Sequence, residues 1–130
     1  MSTLNTTFPK RERIVSQKLV DLLFSGGESC SQAAFPLRLV WHLRERKEGD
    51  EPIQLLISVP KRRLRHAVSR NRVKRQLREA WRHLRQPVVD ALPAEKSLLV
   101  AFVWISDQLF TTEEIYQRAD HLVKRMASRL

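Results

Sequence analysis

Residues 58–81 read SVPKRRLRHAVSRNRVKRQLREAW, and this stretch packs most of the chain's excess positive charge onto one predicted helix and the loop leading into it. At 100° per residue, a helix over residues 71–85 gathers Lys74, Arg75, Arg78, Arg82 and Arg85 within an arc of roughly 100° that contains no acid. Val73, Leu77, Ala80 and Leu84 fall on a different face, at the i, i+4, i+7, i+11 spacing that buries one stripe against a core. Such a helix is pinned by its apolar side and turns a cationic one outward. Its start is placed near Ser69 and Arg70, and its end by Gln86, because Pro87 disfavours helical geometry in the residue before it.

Working back from the helix, Pro60 stops an apolar strand over residues 53–59. Before it, Leu37, Leu39, Trp41 and Leu43 alternate with Arg38, Val40, His42 and Arg44, the period of two of a half-buried strand. Gly49, Asp50, Glu51 and Pro52 form a short turn between these strands, so they are expected to pair as an antiparallel hairpin. Further upstream, Ser16 is placed to cap a short helix with Leu19, Leu22 and Leu23 as its stripe, ended by Gly26 and Gly27.

Beyond Pro87, the run LLVAFVW at residues 98–104 is apolar throughout and reads as the central, most buried strand. Thr111 and Glu114 fit a capping box for a last helix whose stripe is Ile115, Ala119, Leu122, Val123 and Met126. The fold class is α+β: a small mixed sheet packed against helices on one face. Residues 1–7 are polar and expected to be flexible, and residues 8–130 form a single domain.

The 130 residues carry 24 Lys and Arg against 14 Asp and Glu, a formal charge of +10, and the sequence pI is near 10.8. A polyanion is the implied partner, with nucleic acid ahead of a membrane surface. No apolar run is long enough to span a bilayer and the first residues lack a secretion signal's apolar region, so a soluble, cytoplasmic protein is expected. The one cysteine, Cys30, permits no internal disulfide and reads as an incidental loop thiol.

The cationic helix can hold several phosphates. About 15 helical residues span roughly 22 Å, and guanidinium groups match phosphate geometry bidentately. The alternative is a solvated helix face, but such faces usually mix signs, whereas here Glu79 stands alone. Glu79 reads as an orienter of Arg75, Arg82 or His83. Asn71 either bonds the local backbone near the helix start or contacts RNA, and Arg70, Asn71 and Arg72 together are placed to share a phosphate with free N–H groups there.

Residues 58–62, SVPKR, then Ala67-Val68, Arg70-Asn71-Arg72-Val73-Lys74-Arg75 and Arg78-Glu79, closely resemble the "RNR" signature region of the bacterial ribonuclease P protein component. Residues 8–13, FPKRER, are similar to that family's opening segment, and the predicted elements follow its order, α-β-β-(β)-α-β-α. The resemblance implies a left-handed βαβ crossover, opposite to the general rule. It also implies a subunit of a ribonucleoprotein endonuclease that removes the 5′ leader of precursor tRNA, with hydrolysis carried out by the large RNA and its magnesium ions rather than by a catalytic residue of the protein.

On that resemblance, Lys61, Arg62, Arg63, Arg65, Arg70, Asn71, Arg72, Lys74, Arg75, Arg78 and Arg82 bind RNA, and a cleft between sheet and helices takes the single-stranded leader. Phe24 matches a cleft aromatic, and Phe35 and Trp41 are candidates for the same surface, though core packing is the stronger reading of Trp41. Three departures stand out. Residues 63–66, RLRH, replace a loop in which the family usually places glycine; Val20 stands where many relatives carry a second aromatic; and Trp81 is placed to pack inward or cover Lys74.

No catalytic apparatus of the chain's own emerges. His42, His66, His83 and His121 are scattered without ligand spacing, and no paired carboxylates, nucleophile motif or glycine-rich phosphate loop is present, so no metal is expected on the protein itself. The rival classes are a ribosomal or ribosome-assembly RNA-binding protein, which would not carry the ordered motif, and a DNA-binding helix module, for which no second helix lies at helix-turn-helix spacing.

Overall fold

The computed structural model describes residues 13, 17–25, 27 and 29–130. Its elements are α1 (Gln17–Ser25), β1 (Cys30–Ala34), β2 (Leu37–Glu45), β3 (Ile53–Ser58), α2 (Ala67–Leu84), α3 (Gln86–Ala91), β4 (Lys96–Trp104) and α4 (Thr112–Ala127). The four strands form one mixed sheet in the order β1-β2-β4-β3. Residues 1–12, 14–16, 26 and 28 lie outside the described residues, and with them Ser16 and Gly26, the expected cap and stop of the first helix, the N-terminal stretch expected to be flexible and all but Arg13 of the FPKRER segment.

β4 is central, as its unbroken apolar run requires. A strand flanked on both sides and covered on both faces has no solvated side chain to alternate with, and residues 97–102 are all buried. On one side β4 pairs antiparallel with β2 along the full length of both, from Leu37↔Trp104 to Glu45↔Lys96. On the other it pairs parallel with β3, from Ile53↔Leu98 to Ser58↔Val103. The parallel pair needs a crossover, and α2 with α3 supplies it; this is the connection to which the left-handed expectation refers.

The expected β2–β3 hairpin is therefore corrected. β4 separates the two strands, and the free edge of β2 is taken by β1, with Ala34↔Leu37 closing a tight hairpin at Phe35-Pro36. The turn at residues 49–52 is compatible with direct pairing, but it competes with the larger gain from placing the all-apolar β4 between two partners.

The placement of all helices on one face is also corrected. Leu37, Leu39 and Trp41 share a face with Val100, Phe102 and Trp104, and this side packs on α2, α3 and α4. Val40, Leu99 and Ala101 point the opposite way, and α1 covers them with Leu23, flanked by Leu19, Val20 and Leu22. This is why Val40 and His42 are buried although they alternate with the main core positions of β2.

α4 has the stripe the sequence gives it. Ile115, Ala119, Leu122, Val123 and Met126 are all buried, and the Thr111 hydroxyl accepts the Glu114 N–H at 3.1 Å, satisfying one of the helix's unpaired donors. α2 starts at Ala67, a few residues before the expected point, after an extended His66. The helical path pauses at Arg85 and resumes in α3 with Pro87 in its first turn, where a missing N–H costs nothing.

Candidate nucleic-acid interface

α2 builds the interface because its residue pattern leaves no other choice of face. Val73, Gln76, Leu77, Ala80, Trp81 and Leu84 are buried against the sheet and α4. Trp81 resolves inward, its ring edge-to-face with Phe102 at a centroid separation of 6.2 Å, so it does not cover Lys74. What remains outward is cationic: Arg72, Arg75 and Arg78 are exposed, and Lys74, Arg82 and Arg85 are half-buried.

These charges are not equivalent. Arg82 is held by Glu79, with Nε donating to the carboxylate at 3.2 Å, and Glu79 also lies 3.2 Å from the His83 ring nitrogen. The hydrogen bond from Arg82, supported by His83, holds the Glu79 carboxyl below the usual glutamate range and raises the Arg82 guanidinium in turn. Glu79 is thus an orienter of Arg82 and His83, as expected, while Arg75 stays outside its reach.

The loop before α2 is fastened to it from within. Arg63 and Leu64 N–H groups turn back to the Pro60 carbonyl, and Arg70 Nη1 donates to the carbonyls of Leu64 and Arg65, both at 2.9 Å. Leu64 is buried, so the variant loop has an apolar pin in place of a flexible glycine. Lys61, Arg62 and Arg65 project outward, whereas Arg63 faces Asp107 at 3.4 Å. An open hollow of about 510 Å³ lies among Arg62, Arg63, Arg65, His66 and Ser69.

This geometry corrects the reading of the Arg70-Asn71-Arg72 triplet as a helix-terminus phosphate site. The helix begins at Ala67, and the Arg70 N–H is already bonded to the His66 carbonyl at 3.1 Å. The unpaired N–H groups belong to the residues before Arg70. Asn71 is exposed on the helix surface rather than serving as a cap, and Arg72 reaches across to the Phe110 carbonyl at 3.5 Å.

The three aromatics proposed for one cleft do not share a surface. Trp41 is 3 % exposed and faces the core beneath α2 and α4, so its membership of a surface site is corrected to core packing. Phe24 is 46 % exposed on α1, on the opposite side of the sheet. Phe35 is 59 % exposed at the β1–β2 turn and packs against Phe110 beside α4. On the α1 side, the residues left outward at one end are an exposed Arg38, which donates to Ser31 Oγ at 3.1 Å, and half-buried Leu56, Ser58 and Val103. Arg38 was legible only as the polar half of an alternating strand.

Gln76, Phe110 and Arg118 were also missed. Gln76 sits among the buried positions of α2 and donates to Thr112 Oγ1 at 2.9 Å, a tie between α2 and α4 that no spacing rule reveals. Among the described residues, no group of three or more His, Cys, Asp or Glu is placed to hold a metal, and no helix is long and apolar enough to cross a membrane.

The chain is a small mixed-sheet α+β domain that buries one side of an arginine-rich helix and displays the other, the charge distribution suited to a polyanionic partner. The family model described as Ribonuclease P matches residues 8–127 of the chain. The ribonuclease P protein component of Porphyromonas gingivalis is 36% identical over 101 residues, which span 77% of this chain and 72% of the relative. The solved RNase P proteins of Staphylococcus aureus and Thermotoga maritima share the fold, with 22% and 21% identity and a TM-score of 0.65 in each case. The superposition covers 88% of this chain in both, with 94% and 96% of the two structures. The chain belongs to the ribonuclease P protein family, as the protein component of an endoribonuclease assembly.

Proposed function

We propose that the outward face of α2 docks on the large RNA of ribonuclease P, and that the α1 side of the sheet receives the 5′ leader of precursor tRNA, in the cytoplasm. The observation that carries this reading is the one-sided charge of α2, whose apolar face is fully committed to the core. Arg72, Lys74, Arg75 and Arg78, with Lys61, Arg62 and Arg65 of the loop, are the phosphate partners. Arg82 joins them only in competition with Glu79. Arg70 contributes by holding the loop in place, and Asn71 offers an exposed amide between the arginines.

The protein's part in the chemistry is positional. Two densely charged RNAs repel one another, and a cationic ridge placed between them lowers that repulsion, which otherwise falls to divalent ions. The magnesium ions and the hydrolysis are assigned to the RNA subunit, the division of labour that the family membership of the chain supports. Phe24 and Arg38, both exposed on the α1 side, are the residues suited to a leader, one by sequence-tolerant stacking and the other by phosphate contact.

Reconstitution tests the proposal. The protein with the ribonuclease P RNA of its source organism should cleave precursor tRNA at a low magnesium concentration at which neither component acts alone. If no rescue is observed, or if the protein rescues only through some other RNA, the proposal fails; a ribosomal or DNA-binding protein would give the first of these results.

A further inference from the structure

Phe35 is an exposed aromatic, and a lone exposed ring is ordinary on a protein surface. Its surroundings are not ordinary. The ring stands edge-to-face with Phe110, centroids 5.9 Å apart and planes at 75°, and Phe110 stands edge-to-face with the buried Trp104 at 5.8 Å and 77°. The side chain at the tip of the hairpin is therefore braced through a chain of rings into the core. An edge-to-face pair covers at most one face of either ring, so a face of Phe35 stays open.

The backbone around these rings is held by side chains of α2 and α4, two of them arginines. Arg118 of α4 donates through Nε to the Phe35 carbonyl at 3.2 Å, and the Phe110 carbonyl accepts from Gln76 at 3.4 Å and Arg72 at 3.5 Å. Each guanidinium has five N–H donors, so Arg72 and Arg118 keep most of theirs after making these bonds. Arg72 also belongs to the outward face of α2. The aromatic tip is thus continuous with the cationic ridge and lies on the other side of the sheet from Phe24.

We propose that Phe35 is a stacking platform for one unpaired nucleobase of the large RNA that docks on α2, with Arg72 and Arg118 taking the phosphates on either side of that nucleotide. The inference rests on the α2 docking reading and adds a contact to it. A ring with an open face between two guanidinium groups matches the chemistry of a single-stranded nucleotide, whose base is apolar on its faces and whose backbone is anionic. Glu113 and Glu114 in the first turn of α4 disfavour a strand running along α4, which directs the backbone towards α2.

The test compares Phe35→Ala, Phe35→Trp and Arg118→Ala with the parent for binding to ribonuclease P RNA across a salt series, without substrate. Loss of one stacked base weakens binding by about 5- to 150-fold, and because no charge is lost the slope of log affinity against log salt stays at the parent value. Phe35→Trp restores affinity. Arg118→Ala lowers the slope by about 0.7 to 0.9. Unchanged affinity for Phe35→Ala overturns the inference, as does a loss that appears only when leader-bearing precursor tRNA is added, since that would assign the ring to the leader. Those results leave the α2 reading standing wherever the parent protein still rescues cleavage at low magnesium. Failure of the parent to bind or rescue removes both.

Discussion

Replacing Arg75 and Arg78 together by alanine isolates the charge of the ridge from the other work α2 performs. Both side chains are exposed, and neither has an ion-pair partner among the described residues, whereas Arg70 is committed to two carbonyls and Arg82 to Glu79. Each phosphate contact contributes about 0.7 to 0.9 to the slope of log affinity against log salt, so the double variant should be flatter by about 1.4 to 1.8. Between about 50 and 200 mM salt, the parent should then lose about 7- to 12-fold more affinity for ribonuclease P RNA than the variant does. Fluorescence anisotropy with labelled protein over that range supplies the slopes. Thermal melting supplies the control, since solvated side chains away from caps and cores change stability by no more than about 0.5 kcal/mol. Two parallel salt lines would refute the reasoning, because the arginines would then face no phosphate.

Three further perturbations separate the core, the cap and the ridge. Leu77→Ala removes a side chain that is 0 % exposed and should lower stability by about 2 to 5 kcal/mol in denaturant melts, with affinity per folded molecule nearly intact; a loss confined to binding would mean that α2 faces the other way. Thr111→Ala deletes the oxygen that accepts the Glu114 N–H and should cost about 0.5 to 2 kcal/mol, whereas an unchanged melt would show the cap to be idle. Glu79→Gln removes the carboxylate that competes with phosphate for Arg82, so the salt slope should steepen by up to about 0.7 to 0.9. The same carboxyl has its folded-state pKa depressed by Arg82, so its stabilising effect is present above the unfolded value near 4.5 and is lost as pH falls through the lower folded value. Parent and Glu79→Gln should therefore differ in stability near neutrality and converge in acid, a trend that pH-resolved melting would contradict if the gap widened instead.

What could be read from the residues and what could not divides along the range of the interactions. The buried face of α2, the stripe and cap of α4 and the apolar run of β4 are local patterns, and each lies where its period places it. Strand pairing is a long-range choice. The turn at residues 49–52 argued for a β2–β3 hairpin, yet the burial of β4 between two neighbours outweighs it. β1, with the sequence CSQAA, has too little apolar alternation to announce itself, although it is the strand that pairs with β2 at the edge.

The site divides in the same way. The charge of the ridge follows from helical spacing, but the start of α2 at Ala67 moves Asn71 and Arg72 away from the unpaired N–H groups that a later start would have offered them. Trp41 alternates with Val40 and His42, which are themselves buried on the α1 side of the sheet, so it carries no mark of which face it occupies until the sheet order is known. Phe35 and Phe110 are 75 residues apart in the chain, and their contact depends on a hairpin tip meeting the approach to α4.

The most direct measurement of the docking claim is directed hydroxyl-radical mapping. With the exposed Cys30 replaced by serine, an iron chelate is tethered at Arg75→Cys on α2 and, in a separate protein, at Glu48→Cys in the exposed turn after β2. Cleavage of ribonuclease P RNA concentrated in one region from position 75, and absent from position 48, is the expected result. Cuts from position 48 alone, or none from position 75 under conditions of saturated binding, would contradict it.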